Sequence, residues 1–317
     1  MKSSRFFATV VLLILSMPAF AIHRGLDSLE FTAYAPLADK PVKVFTYVPT
    51  WGKIAEMPVL ITMHGAERSG MNGIICWREF AEQDGFIVIS PQFSKTWYKE
   101  NDYQFGGVVD PSTGEVRPEE MWTYSIIEPI FEHVKSLLGN KAEVYDMQGH
   151  SAGGQFVHRY LIAKPNARVR RAVACNPGSW TWCDPDGTVN GSDKAYQWPY
   201  SINGTPFNDM AHLASFFSRE MYICLGNKDT DPGGSAVPRN EEAIWQGAHR
   251  FMRGQSFYSS HRRLASKLGL EFNWKLSIVD GIGHQGRGMV YGMRSGGRYT
   301  ASAFTKTAAY YLIYGKK

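Results

Sequence analysis

The chain has 317 residues, of which 44% are hydrophobic and 20% are charged. This composition is ordinary for a folded globular protein, and it excludes a long disordered or low-complexity polypeptide. The formal net charge is +5 at pH 7, with no concentrated basic stripe along the sequence, so we expect no nucleic-acid partner.

The first 21 residues predict a signal peptide. Lys2 and Arg5 form a positively charged start, an apolar run spans 6–17, and the stretch 18–21 (Pro-Ala-Phe-Ala) offers a cleavage site. The apolar run is short for a bilayer, and no later segment reaches about 18 apolar residues. We therefore expect a secreted or periplasmic protein without stable membrane insertion after cleavage. An uncleaved anchor is the alternative.

Short apolar strands then alternate with helical segments along residues 22–317. Apolar runs and partial alternation predict strands at 29–34, 42–48, 58–63, 86–90, 144–147, 171–175, 221–225 and 272–279. Helical spacing of apolar residues predicts helices at 77–83, 119–138, 156–163, 240–268 and 303–314. This alternation predicts one α/β domain, in which a mostly parallel sheet is covered by helices on both faces. Residues 176–212, rich in Gly, Pro, Asn, Asp and aromatics, interrupt the alternation and are interpreted as an insertion.

Four cysteines in an exported chain can form disulfides. Cys175 and Cys183 flank a short tryptophan-rich loop, and we favour this pair. Cys76 and Cys224 are left unassigned, because nothing supports a bridge between them. The spacing of cysteines and histidines matches no zinc site, so neither a metal nor another cofactor is expected.

The stretch Gly149-His150-Ser151-Ala152-Gly153 lies between a predicted strand and a predicted helix. This context is that of a nucleophile elbow, in which small residues let the chain turn sharply and leave the serine exposed. We therefore predict Ser151 as the nucleophile. A serine hydroxyl is a weak nucleophile until a neighbouring base takes its proton.

Two later strands end in residues that can supply this base. The strand at 221–225 is followed by Asp229, and the strand at 272–279 is followed by His284. We predict His284 as general base and then general acid, with Asp229 orienting its imidazole. Asp231 is close enough in sequence to be an alternative to Asp229.

The oxyanion hole is predicted from two backbone N–H groups, those of Ala152 and Ala66. Ala66 follows the third strand in the stretch His64-Gly65-Ala66. His64 can brace this loop by hydrogen bonding, and His150 can pack beneath the site.

Over nearly all of its mature length the chain resembles the α/β-hydrolase superfamily, and within it the secreted polyhydroxybutyrate depolymerases and feruloyl or acetylxylan esterases. The resemblance rests on the motifs at 64–66, 91–94, 149–154, 226–229 and 283–284, and on the chain order Ser, Asp, His. Hormone-sensitive-lipase-like esterases share Gly-His-Ser-Ala-Gly-Gly. However, they carry His-Gly-Gly-Gly where this chain has His-Gly-Ala-Glu, which argues against that branch.

The resemblance implies a serine hydrolase that cleaves carbohydrate-linked, aryl or polyester esters through an acyl-enzyme. It also implies that residues 176–212 form a cap, in which Trp180, Trp182 and Trp198 could stack on substrate rings. The alternative for these rings is a small core of the insertion itself. A secreted serine peptidase and a catalytically silent binding protein of the same fold stay open as alternatives, as does the oligomeric state.

Overall fold

The computed structural model describes residues 22–234, 236–293, 299–300, 302 and 304–315. Within them the chain builds an eight-stranded sheet with the order β1-β2-β4-β3-β5-β6-β7-β8. Its strands are β1 (Gly25–Phe31), β2 (Val42–Val48), β3 (Val59–Met63), β4 (Ile87–Gln92), β5 (Tyr145–His150), β6 (Val169–Cys175), β7 (Met221–Gly226) and β8 (Lys275–Val279). β2 pairs antiparallel with β1 and β4, and all other pairs are parallel. The prediction of a mostly parallel sheet is confirmed.

Helices connect these strands and cover the sheet. In chain order they are α1 (Gly70–Asp84), α2 (Glu100–Tyr103), α3 (Ile127–Leu138), α4 (Ala152–Ala163), α5 (Met210–Ser218), α6 (Glu241–Gln246), α7 (Arg250–Leu268), α8 (Gly286–Tyr291) and α9 (Ala309–Tyr314). Short 3-10 turns at Glu119–Met121 and Thr123–Ile126 precede α3, so the predicted helix at 119–138 is regular only over its second part.

The sheet separates two hydrophobic clusters, which is why its central strands are continuous apolar runs. Neighbouring residues of β3 point to opposite faces, since Leu60 belongs to one cluster and Val59 and Ile61 to the other. All residues of β3 and of β7 are buried. A parallel strand covered on both faces has no solvent side, and so it lacks the polar alternation of a half-exposed strand.

Several boundaries differ from the sequence prediction. The predicted helix at 240–268 is divided into α6 and α7 at Gly247, whose φ of 145° a residue with a side chain rarely adopts. The first strand begins earlier, because β1 pairs with β2 over its whole length from Gly25. The last helix begins at Ala309, and residue 303 of the predicted helix lies outside the described residues.

The predicted Cys175–Cys183 disulfide is wrong, because the four cysteines are free in the structure. Cys175 ends β6 directly beside Cys224 of β7, within the cluster on one face of the sheet. Cys183 lies in the cluster on the other face. Cys175 and Cys183 are close in sequence, but the sheet lies between their side chains, so they cannot form the predicted disulfide.

Three further predictions concern the chain as a whole. The predicted signal peptide, 1–21, lies outside the described residues. Among the helices that the structure does describe, none has both the length and the apolar character required to cross a membrane. In the same part of the chain, no three or more His, Cys, Asp and Glu residues gather as metal ligands would. The division into one domain with an insertion at 176–212 stays a prediction.

Candidate active site

Ser151 occupies a sharp turn between β5 and α4. Its φ of 59° and ψ of −119° are unusual for a residue with a side chain, and such strain is common at functional positions. The turn requires glycine on both sides. A Cβ at Gly149 would lie 2.2 Å from the Gly153 carbonyl oxygen, and one at Gly153 would lie 2.1 Å from the carbonyl oxygen of Met63. The packing around the turn therefore explains the spacing of the motif.

A continuous hydrogen-bond chain joins Asp229, His284 and Ser151. Asp229 Oδ2 lies 2.7 Å from His284 Nδ1, and His284 Nε2 lies 2.9 Å from Ser151 Oγ. A carboxylate only accepts hydrogen bonds, so Nδ1 carries the imidazole proton and Nε2 is left to accept from the serine. Asp229 is 4% exposed and the His284 side chain 27% exposed, so the acid is buried and the base faces the cleft.

The competing carboxylate, Asp231, points elsewhere. It is exposed, and its Oδ1 accepts a hydrogen bond of 2.8 Å from the backbone N–H of Gly233. This contact stabilises a local turn. The structure thus brings Asp229, rather than Asp231, to the histidine.

Arg250 is a member of the site that the sequence prediction missed. Its Nη1 lies 3.2 Å from Asp229 Oδ1, on the side of the carboxylate that His284 does not use. Arg250 is 2% exposed and begins α7, whose N-terminal end adds partial positive charge. This carboxylate therefore has two opposite partners, a guanidinium and an imidazole. Arg250 lies 21 positions after Asp229 in the chain, and the sequence therefore carries no local signal of the contact.

Two backbone N–H groups belong to residues that share a cavity with the serine. Ala152 is the first residue of α4, and Ala66 follows β3. Among the residues whose structure is described, neither N–H has a hydrogen-bond acceptor. Unsatisfied N–H groups next to a nucleophile can stabilise a developing oxyanion. Ala66 and Ala152 both line cavities that also contain Ser151.

His64 holds the loop that carries Ala66. Its Nε2 accepts a hydrogen bond of 3.0 Å from the Phe93 N–H, so its Nδ1 carries the proton and donates to the Gly65 carbonyl oxygen at 2.9 Å. The Tyr103 ring stacks on the imidazole at 4.3 Å. Burial lowers the pKa of His64 to about 3, so the ring is neutral at ordinary pH. These contacts match the bracing role expected from the sequence.

His150 lies between the serine turn and the base. Its ring centroid is 4.5 Å from that of His284, and it packs against the site as expected. Burial, with a smaller contribution from His284, lowers the pKa of His150 well below its ordinary value. A neutral His150 places no charge beside the imidazole that must accept a proton.

Two cavities meet at Ser151, and both are also lined by Ala66 and Ala236. The first cavity has a volume of about 520 Å³, and its other lining residues include Ile75, Cys76, Arg287 and Val290. The second cavity has a volume of about 600 Å³, and its other lining residues include Arg68, Lys95, Lys99, Glu100, Gln155 and Tyr200. A substrate can therefore extend from the serine in two directions.

The second cavity is basic. Arg68, Lys95 and Lys99 form no ion pair with any carboxylate that the structure describes, and Glu100 is the one acidic residue of its lining. The Arg68 guanidinium lies 4.3 Å above the Tyr103 ring, which fixes its position. Lys95 and Lys99 are exposed. Isolated lysines in a loop form no recognisable motif, so the sequence analysis did not predict a role for Lys95 and Lys99.

The three tryptophans predicted to bind substrate lie elsewhere. Trp180 and Trp182 are 0% exposed and pack on Phe257 of α7, at ring distances of 4.4 Å and 5.5 Å. Trp198 is 8% exposed and donates from Nε1 to the Phe105 carbonyl oxygen. None of the three lines either cavity at Ser151. The substrate-binding prediction is thus corrected: these rings belong to the hydrophobic cluster on one face of the sheet, because large aromatic surfaces are more stable when buried.

Comparison with known proteins gives structural relatives. No protein-family model matches the chain, and no curated protein sequence matches it. Among solved structures, poly(aspartic acid) hydrolase-1 from Sphingomonas sp. KT-1 is 36% identical, over 84% of this chain and 96% of that chain, with a TM-score of 0.76.

Two further structures are similar. The poly(3-hydroxybutyrate) depolymerase LpqC from Bordetella parapertussis is 29% identical, over 84% of this chain and 88% of that chain, with a TM-score of 0.76. An S-formylglutathione hydrolase from Agrobacterium tumefaciens is 14% identical, over 82% of this chain and 88% of that chain, with a TM-score of 0.52. The last likeness concerns the fold alone.

Proposed function

Because this chain belongs to the α/β-hydrolase superfamily, we propose that it is a secreted serine hydrolase that cleaves carboxylic esters through an acyl-enzyme on Ser151. The observation that carries the proposal is the hydrogen-bond chain from Asp229 through His284 to Ser151, with distances of 2.7 Å and 2.9 Å. The ester-polymer hydrolase among the relatives supports the choice of bond.

In the first half of the reaction, Ser151 Oγ attacks the ester carbonyl carbon while His284 Nε2 takes its proton. Asp229 accepts from His284 Nδ1 and stabilises the imidazolium that forms. The N–H groups of Ala152 and Ala66 donate to the carbonyl oxygen as it becomes negatively charged. The tetrahedral intermediate then expels the alcohol, which receives its proton from His284.

In the second half, a water molecule attacks the acyl group on Ser151. His284 takes a proton from this water and returns it to Ser151 Oγ as the acid product leaves. The same groups thus serve both steps.

The test is the turnover of a short p-nitrophenyl ester by the Ser151→Ala variant. We expect kcat to fall by roughly 10⁴-fold or more, because the nucleophile is lost. Ser259→Ala, an exposed serine of α7, is the matched control and retains wild-type turnover. Near-normal activity of Ser151→Ala would refute the proposal.

A second candidate is the hydrolysis of amide bonds in an acidic polymer. The relative that is 36% identical is named for poly(aspartic acid), a polymer that carries carboxylates and is linked by amides. The unpaired cations Arg68, Lys95 and Lys99 in the second cavity favour such a substrate. Short oligomers of aspartic acid and of 3-hydroxybutyric acid, compared at equal concentration, separate the two candidates by which one is shortened.

Export of the protein is a separate part of the proposal. It rests on the sequence of residues 1–21, from the positive start to the small residues before the cleavage site. In a bacterial host, the full chain is expected outside the cytoplasm, with an N-terminus at Ile22. A full-length protein that stays in the cytoplasm with Met1 intact would contradict this part alone.

A further inference from the structure

Gln155 is a buried amide on the wall of the second cavity. It lies one helical turn after Ser151, to whose carbonyl oxygen its backbone N–H donates at 3.0 Å. The residue is 4% exposed and lines the cavity together with Ser151 and Ala152.

The orientation of this amide is unambiguous. Gln155 Oε1 accepts from Arg159 Nη1 at 2.9 Å and from Ser179 Oγ at 2.8 Å. An arginine can only donate, so the atom that faces it must be the amide oxygen. The Nε2 group consequently points away from Arg159, and no described residue accepts a hydrogen bond from it.

Arg159 makes this orientation rigid. It is 0% exposed, and its guanidinium donates to Thr181, Ser179, Gln155 and the Pro199 carbonyl oxygen. No carboxylate among the described residues pairs with it, so its charge polarises the amide. Burial lowers the pKa of Arg159 to about 10, which leaves it charged at neutral pH.

We propose that Gln155 Nε2 is a substrate-binding donor, which takes a carboxylate oxygen of the substrate in the second cavity. The Nε2 group has no acceptor among the described residues, so a substrate oxygen in the cavity can accept its hydrogen bond. The charges of Arg68, Lys95 and Lys99 select a carboxylate over a neutral acceptor. This inference rests on the proposed hydrolase function and names a specificity determinant of the same site.

The decisive variant is Gln155→Glu. It keeps an acceptor oxygen for Arg159 and Ser179, so the structural contacts survive, but it removes the donor and presents an anion to the cavity. Gln155→Met, which removes both contacts, is the second variant. Gln83→Glu makes the same charge change on the exposed surface of α1 and is the matched control.

The substrates are two pairs of aryl esters. In the first pair, one ester carries a free carboxylate on its acyl group, and the other carries the methyl ester of that carboxylate. In the second pair, the carboxylate and its methyl ester are on the leaving group instead. For each pair we divide kcat/KM of the substrate with the free carboxylate by kcat/KM of its methyl-capped partner. In the wild-type protein this ratio is expected to exceed one for at least one pair. This ratio falls roughly tenfold in Gln155→Glu and is unchanged in Gln83→Glu.

The outcomes are distinguishable. If the wild-type protein hydrolyses none of the four esters, the proposed function fails. If it hydrolyses them but shows no preference for a free carboxylate, or if Gln155→Glu keeps the wild-type ratio, the role of Gln155 is overturned while the hydrolase stands. Labelling of each variant by a fluorophosphonate reports whether the site has folded.

Discussion

The two cavities that meet at Ser151 differ in how their charges are compensated. In the first, Arg287 pairs with Glu79 at 3.1 Å and its guanidinium lies over the Tyr299 ring at 4.4 Å. In the second, Lys95 and Lys99 have no carboxylate partner among the described residues. Paired charges contribute little to the binding of a ligand, whereas unpaired ones remain available to it. Glu67, which lines the first cavity, pairs with no described cation, so the first cavity presents a carboxylate to the substrate and the second presents cations.

The largest expected effect is a loss of turnover when the hydrogen-bond chain to Ser151, which serves both cavities, is broken. Asp229→Asn removes the charge that stabilises the imidazolium, and we expect kcat to fall by about 10⁴-fold on every ester, whichever cavity it fills. Asp231→Asn is the matched control, because this exposed carboxylate stabilises only a turn. Equal losses in the two variants, measured in one steady-state assay, would mean that the acid has been assigned wrongly.

A smaller effect is expected at Arg250. In Arg250→Gln, Asp229 loses the guanidinium that holds its Oδ1 at 3.2 Å, so the carboxylate is less firmly oriented towards His284. We expect kcat to fall by roughly tenfold in the steady-state assay, because a hydrogen bond to a charged group is lost. Arg250→Lys keeps a cation at this position and should recover part of the loss. A wild-type kcat in Arg250→Gln would show that Arg250 does not position Asp229.

The lysines of the second cavity provide the sharpest test of the contrast between the cavities. In the double variant Lys95→Ala, Lys99→Ala, kcat/KM for a carboxylate-bearing ester should fall about fivefold at low ionic strength, because each exposed charge contributes up to about 1 kcal/mol. The effect should vanish at high salt. Lys53→Ala with Lys141→Ala makes the same charge change far from the site. If both double variants lower kcat/KM to the same extent, the effect comes from the net charge of the protein and not from the second cavity.

The last prediction concerns stability rather than turnover. Burial lowers the pKa of His64 and His261 to about 3, and that of His150 and His158 well below the ordinary value. As pH falls below about 6.5, the unfolded chain takes up these protons and the native protein does not. The free energy of unfolding should therefore fall by up to about 1.4 kcal/mol per pH unit for each histidine.

Urea unfolding at pH 7.5, 6.5 and 5.5 measures this slope. His261→Gln should reduce this slope by the contribution of one histidine, relative to the wild-type protein. A free energy of unfolding that is constant over this range would show that these rings become protonated in the folded state.

Local chemistry made part of this molecule predictable from its sequence. The sequence motif around Ser151 is recognised from the glycines two positions away on each side, and Asp229 and His284 each follow an apolar strand, so all three could be predicted. Arg250 could not, since its contact with Asp229 depends on how α7 packs. Gln155 could not either, because its role depends on Arg159 and Ser179 fixing its orientation.

The aromatic-rich stretch 176–212 shows what could not be predicted from composition. Its content of tryptophan was evident, but composition does not distinguish a ring that faces a ligand from one that fills a core. Trp180 and Trp182 pack on α7, a helix that begins nearly seventy residues later in the chain (250 against 182). Only the arrangement of these distant elements decides which rings of this stretch are buried.

The central claim, that Ser151 is the nucleophile, is tested most directly by mass spectrometry of the protein after reaction with a fluorophosphonate. We predict a single adduct, located on the peptide that contains Ser151, and no adduct in Ser151→Ala. An adduct of equal yield in Ser151→Ala, or one located on another residue of the wild-type protein, would contradict the account.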